Sequence, residues 1–131
     1  MIFVDSNIPM YLVGADHPNK LAARTLVERA AVARERLVTD AEVFQEILHR
    51  YAAIDRLDAI DPAFDSLLSI VNDVLPITRD DVLRARRLVT STARLKARDA
   101  IHVAVMEHNR IDQILTFDAG FDSIPGVRRL S

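Results

Sequence analysis

At 131 residues and 14.7 kDa the chain has the size of one domain, large enough to bury roughly two-thirds of its unfolded surface without a disulfide or metal staple. Seventeen Lys and Arg against nineteen Asp and Glu, a formal net charge of −2, exclude a disordered polyelectrolyte and a uniformly basic binder. The absence of Cys excludes thiol catalysis, cysteine zinc sites and a disulfide framework, while three Gly with no Gly-rich loop exclude the P-loop and the dinucleotide fingerprint.

No apolar run approaches the roughly 20 residues of a membrane-spanning helix, and the opening MIFVDSN has neither a basic nor an apolar leader region. The expectation is a single domain over residues 1–131, free of membrane and in a reducing cytoplasm. Ile2-Phe3-Val4 reads as a first strand that stops at the turn- and cap-forming Asp5-Ser6-Asn7. Pro9 suits the first turn of a short helix ending near Gly14. Asp16-His17-Pro18 opens a second helix with a stripe of Leu21, Ala22, Leu26, Ala30 and Ala33. Leu37-Val38 is a second strand. Thr39-Asp40-Ala41-Glu42 then has the spacing of a capping box, for a helix running to about Ala53. Asp61-Pro62 caps the next helix, through Leu67 and Leu68. Val74-Leu75-Pro76-Ile77 is a third strand, which Pro76 places at a sheet edge. Thr78-Arg79-Asp80-Asp81 is a second box-like start for a helix to about Ala93, and Arg98-Asp99 leads into a helix to about Asn109. Ile114-Leu115-Thr116 is a fourth strand and Val127 to Leu130 a fifth. Short strands alternating with helices predict an α/β fold, a short parallel sheet of four or five strands covered by helices on both faces.

In such sheets, ligands bind beyond the carboxyl ends of the strands. Asp5 follows strand one directly and Asp118 follows strand four, so the two meet if those strands are neighbours. Glu46 lies too deep in its helix to be a cap, and Asp99 starts the helix before strand four; both stand beside apolar residues. No Lys or Arg in these segments has an offset that pairs with all four acids. Four uncompensated carboxylates repel and raise one another's pKa values, a conflict that a divalent cation resolves. Oxygen ligands without Cys or a His cluster favour Mg²⁺ or Mn²⁺ over Zn²⁺. Each acid also has a plain structural reading: Asp5 as a helix cap, Asp99 as a first-turn anion, Asp118 and Asp122 as loop acids, Glu42 as the capping-box partner of Thr39. Asp40, Asp80 and Asp81 are most simply caps, and His102 a half-buried ring bonded to backbone. Ser6 and Thr116 are hydroxyls beside two of the acids, suited to orienting a phosphate or a water. Seven of the seventeen positive charges, from Arg79 to Arg98, fall within 20 positions and suit a phosphate backbone. Scarce aromatics speak against a base-stacking platform.

Four segments in order carry a family likeness: Val4-Asp5-Ser6-Asn7, Val43-Phe44-Gln45-Glu46-Ile47-Leu48, Arg98-Asp99-Ala100-Ile101-His102-Val103-Ala104, and Leu115-Thr116-Phe117-Asp118-Ala119-Gly120-Phe121. Together, and over nearly the whole chain, they resemble the PIN-domain family, more narrowly the VapC toxins of bacterial toxin–antitoxin pairs. The resemblance implies a three-layer α/β/α sandwich and an Mg²⁺-dependent endoribonuclease that is silenced by an antitoxin and assembles as a homodimer. By the same resemblance the metal-binding and catalytic acids are Asp5, Glu46, Asp99 and Asp118, with Thr116 as the family's hydroxyl residue; Ser6, Thr116 and Arg98 are the expected RNA-facing groups.

Two rival readings come from other classes. A receiver-type phosphoacceptor domain shares the length and the α/β alternation, but Asp5 is followed by Ser6 rather than a second acid, and the third strand ends Pro76-Ile77-Thr78 without an acid. A PIN scaffold that binds RNA or protein without cutting is the other; the presence of all four acids argues against it.

Overall fold

Five short segments become the strands of one parallel sheet in the computed structural model, which describes residues 1–91 and 95–131. They are β1 (Ile2–Val4), β2 (Leu37–Asp40), β3 (Asp73–Leu75), β4 (Gln113–Leu115) and β5 (Arg128–Leu130), arranged β3-β2-β1-β4-β5. Between them run α1 (Asn7–Val13), α2 (Pro18–Val32), α3 (Ala41–Ala53), α4 (Ile60–Ile70), α5 (Arg79–Ser91) and α6 (Ala97–His108), with 3₁₀ turns at Leu57–Ala59 and Ala119–Ser123. The expected helix end at Ala93, and Arg94 of the basic run, lie outside the described residues.

The chain steps outward from β1 through β2 to β3, then returns to the other side of β1 for β4 and β5. Right-handed crossovers require connections in opposite directions to use opposite faces. Helices α1 to α4 therefore cover one face and the α5–α6 hairpin the other, giving three α/β/α layers. This order differs from the 2-1-3-4-5 order of receiver domains, which removes that reading. The reversal falls at β1, where Ile2, Phe3 and Val4 pair with Gln113, Ile114 and Leu115 of β4. Loops leaving the carboxyl ends of β1 and β4 thus open a crevice at the switch point.

Local chemistry explains most element boundaries. β1 is buried on both faces and reads as an unbroken apolar run, whereas the edge strands β3 and β5 are partly exposed. Pro76 follows the edge strand β3, where its missing N–H costs no ladder bond. Pro18 sits at the first position of α2, and His17 Nδ1 caps that helix by accepting from the Asn19 N–H. Thr78 and Asp81 form a reciprocal box at the start of α5: Thr78 N–H donates to Asp81 Oδ2, and Asp81 N–H to Thr78 Oγ1.

Two expected caps are corrected. β2 continues through Thr39, which is fully buried and donates its Oγ1–H to the Val4 carbonyl of the next strand. The α3 cap is instead Asp40, whose Oδ1 accepts from Val43 N–H, so Glu42 has no box partner. Helix α4 begins at Ile60, directly after a 3₁₀ turn, which places Asp61 and Pro62 inside its first turn.

Candidate active site

Two helix faces and two strand ends deliver acids to the crevice. Asp5 leaves β1 and is 4% exposed. Glu46 shares the inward stripe of α3 with Val43, Ile47 and Tyr51, so burial of that stripe carries it towards the sheet. Asp99 stands in the first turn of α6, and Asp118 caps the 3₁₀ turn after β4 by accepting from Gly120 N–H. A Cβ at Gly120 would lie 3.0 Å from Asp118 Oδ1, so the glycine lets backbone and carboxylate meet. All four acids line one open pocket of about 370 Å³, together with Ser6, Asn7 and the cationic Arg50, Lys96 and Arg98.

The electrostatics of this pocket are unbalanced. Among the described residues no Lys or Arg nitrogen reaches ion-pair distance of Asp5, Asp99 or Asp118. Burial raises the pKa of Asp5, with the charge of Glu46 adding and His102 and Thr116 opposing. Asp99 is pushed from 3.8 to about 6, by burial first and then by the charges of Asp5, Asp118 and Glu46. Glu46 goes the other way: burial would raise it, but the hydrogen bonds of His102 and Ser6 and the charge of His102 hold it below the usual range.

A layer of hydrogen bonds fixes the acids from beneath. Thr116 Oγ1–H donates to Asp5 Oδ2 at 2.7 Å and accepts from Asn7 Nδ2 and Asp118 N–H. Thr116 is fully buried, so the hydroxyl expected to face RNA orients Asp5 instead. Ser6 does line the pocket, and its Oγ–H donates to Glu46 Oε2 at 2.8 Å. The other Glu46 oxygen faces His102 Nε2 at 2.5 Å, while His102 Nδ1 faces Asp40 Oδ2 at 2.8 Å. His102 is therefore a fully buried ring between two carboxylates, not the half-buried, backbone-bonded ring that the sequence suggests. Burial pulls its pKa down, but the hydrogen bonds and charges of Asp40 and Glu46 outweigh this and raise it above the usual imidazole range.

Other acids separate from the cluster. Asp122 forms a two-pronged pair with Arg129 at 2.9 and 3.0 Å. Glu42 lines a neighbouring groove with Gln45, His49 and Arg98. The basic run also divides: Arg84 is engaged by Glu107, while Lys96 and Arg98 reach the pocket. Arg50, one turn beyond Glu46 on α3, was hidden from sequence reading because a lone Arg on a helix matches any solvated face.

The donor set suits a hard divalent cation: four carboxylates, none of them within ion-pair distance of a Lys or Arg among the described residues, and no sulfur ligand. Asp5, Glu46 and His102 also bring ligand-type atoms within 4.8 Å of one another. Both His102 nitrogens already face carboxylates, so no lone pair is free for a metal, and the ring supports the site from behind.

A parallel α/β/α domain with a carboxylate pocket at its switch point is the architecture of the PIN domain, and the model of that family matches residues 2–127. The chain belongs to the PIN-domain family and, within it, to the VapC type. It is 59% identical to Ribonuclease VapC13 of Mycobacterium tuberculosis, over the full length of both chains. Identity to Ribonuclease VapC23 of the same organism is 39% over 118 residues, 90% of this chain and 93% of the relative. The fold is shared with VapBC2 from Rickettsia felis, solved bound to a DNA fragment from the promoter, at a TM-score of 0.75 and 15% identity over 99% of this chain and 98% of the other.

Proposed function

We propose that this chain is a divalent-metal-dependent endoribonuclease and acts as the toxin of a toxin–antitoxin pair. One observation carries the reading: four carboxylates converge in one pocket, with the pKa of Asp99 raised to about 6 and no cation paired to Asp5, Asp99 or Asp118 among the described residues. The names of the relatives, VapC ribonucleases, agree with it.

In this reading Asp5 and Asp99 are the main holders of Mg²⁺, with Mn²⁺ as a substitute, and Glu46 and Asp118 complete the metal site. Such an ion supplies a lowered pKa for attacking water and charge stabilisation on the phosphate. Thr116 and Ser6 hold Asp5 and Glu46 in place through the hydrogen bonds already described. Arg50, Lys96 and Arg98 stand at the pocket rim and bind the RNA backbone on either side of the scissile phosphate. Arg50 and Arg98 also border the groove along α3, which gives the strand a path away from the acids.

The antitoxin is a protein that covers apolar surface left on α3, α4 and the connection between them, where Leu48, Ile54, Leu57 and Leu68 are exposed. A homodimer and a cytoplasmic location belong to the same proposal; no helix among the described residues is long and apolar enough to cross a membrane.

The test is cleavage of a mixed RNA pool with and without Mg²⁺, comparing wild type with Asp5→Asn. The reading expects internal cleavage by the wild type alone, abolished by chelator. Cleavage that persists in chelator or in a well-purified Asp5→Asn protein contradicts it.

A further inference from the structure

We propose that Asp40 and His102 are positioning residues for the nuclease pocket, a buried carboxylate–imidazole pair that fixes the orientation of Glu46. The inference rests on the nuclease reading above and adds two residues that touch neither RNA nor the reacting atoms.

The geometry is a continuous chain from core to pocket. Asp40 Oδ1 caps α3 through Val43 N–H, and its Oδ2 accepts from His102 Nδ1 at 2.8 Å. His102 Nε2 donates to Glu46 Oε1, and Glu46 Oε2 accepts from Ser6 Oγ. Each member thereby locks the next: the helix cap fixes Asp40, Asp40 fixes the ring plane, and the ring and Ser6 hold both oxygens of Glu46. Asp40 and His102 are fully buried, Phe3 stands against the ring with centroids 5.3 Å apart, and Glu46 and Ser6 reach the pocket.

A core tie between α3 and α6 does not need this composition. Two carboxylates and an imidazole ring are expensive to bury, and apolar residues of similar volume tie helices at least as well. What the hydrogen-bonded chain supplies, and an apolar contact does not, is a fixed carboxylate at its open end. A glutamate has three rotatable side-chain bonds, and an unanchored one beside Asp5 and Asp99 would turn away from their charges. Donation from His102 holds it in the pocket against that repulsion. This is the supporting role that outer hydrogen-bond partners play for ligands in metal sites, where their loss costs about 10–100-fold in affinity or activity.

The test compares substitutions that keep one donor or the other. His102→Gln retains a donor near the Nε2 position, facing Glu46. His102→Asn retains one near the Nδ1 position, facing Asp40, and leaves Glu46 without it. Three readouts are taken: Mn²⁺ affinity by calorimetry on the full chain without RNA, kcat and KM on RNA, and the thermal midpoint. The proposal expects His102→Asn to weaken Mn²⁺ binding about tenfold and to lower kcat about 10–100-fold with KM within twofold. It expects His102→Gln to stay within about threefold of wild type in both, whatever the ranking of thermal midpoints. Asp40→Asn, which keeps the cap on Val43, serves as the second variant should either His102 substitution fail to fold; it should lower kcat about 3–10-fold with KM unchanged. Wild-type Mn²⁺ affinity and kcat in folded His102→Asn, or in Asp40→Asn, overturns the proposal. So does a loss that is equal in the Asn and Gln variants and follows the thermal midpoint, the signature of a core contact. A wild-type chain that binds Mn²⁺ but cuts no RNA defeats the nuclease reading instead, and the Mn²⁺ comparison among variants still tests the positioning role.

Discussion

Replacing Asp99 by Asn should stabilise the metal-free protein while disabling its proposed chemistry. Ionised Asp99 is raised from 3.8 to about 6 by burial and by its acidic neighbours. At face value that rise corresponds to about 3 kcal/mol of destabilisation at neutral pH. The side chain is partly exposed, so solvent screening reduces the figure to about 1–2 kcal/mol. Against this, Asn forfeits the favourable interaction of a first-turn anion with the α6 dipole, about 0.5 kcal/mol. The net gain is about 1 kcal/mol, or roughly 3–5 °C in Tm for a chain of this size. Because the folded-state pKa lies above the unfolded one, the penalty is fully present above pH 6, fades as pH falls from about 6 towards 3.8, and is absent below that. Differential scanning fluorimetry in EDTA should therefore show Asp99→Asn melting above wild type at pH 7.5, with the gap narrowing at pH 4.5. In saturating Mg²⁺ the order should reverse: an ion at a hundred times its Kd stabilises wild type by about 2.7 kcal/mol and the variant by much less. Melting of Asp99→Asn at or below wild type in EDTA at pH 7.5 would refute the claim that the acids repel one another in an unbalanced pocket.

Four other substitutions probe separate parts of the account. Thr116→Val keeps the shape but leaves Asp5 Oδ2, Asn7 Nδ2 and Asp118 N–H without their shared partner; urea denaturation should show a loss of about 1–3 kcal/mol, and an unchanged midpoint contradicts the role given to this hydroxyl. Arg50→Ala and Arg98→Ala, each in the Asp5→Asn background, should weaken RNA binding measured by fluorescence anisotropy. Each should flatten the slope of log K against log salt by about 0.7 without moving Tm, and an unaltered slope removes that side chain from the backbone path. Arg110 follows α6 in the left-handed region at φ 57°, so Arg110→Gly should raise stability by about 0.5–1 kcal/mol in the same denaturation assay; a fall contradicts the strain argument.

Much of the architecture was legible because its signals are local. The unbroken apolar run Ile2–Val4 marks a strand buried on both faces, Pro76 marks an edge, and Thr78 with Asp81 marks a helix start through bonds only three residues apart. The adjacency of β1 and β4, on which the meeting of Asp5 and Asp118 depends, is a condition that right-handed crossovers permit without dictating, and the sheet order meets it. Errors arose where a long-range bond outweighed a local one. Thr39 has a cap's sequence context, but its hydroxyl is taken by Val4 on the neighbouring strand, and the cap moves to Asp40. Thr116 reads as a pocket hydroxyl, yet its partner is Asp5, 111 positions away, and that bond buries it. His102 was misread for the same reason: its partners Asp40 and Glu46 lie 62 and 56 positions distant, and a lone histidine in an apolar helix carries no local trace of them.

The account stands on a cation held among the carboxylates of Asp5, Asp99 and Asp118, and the most direct measurement is anomalous diffraction from crystals soaked in Mn²⁺. The account predicts an anomalous peak among those three side chains in wild type and none there in Asp5→Asn. A saturating soak that leaves the pocket without a peak, or a peak that survives Asp5→Asn undiminished, contradicts it.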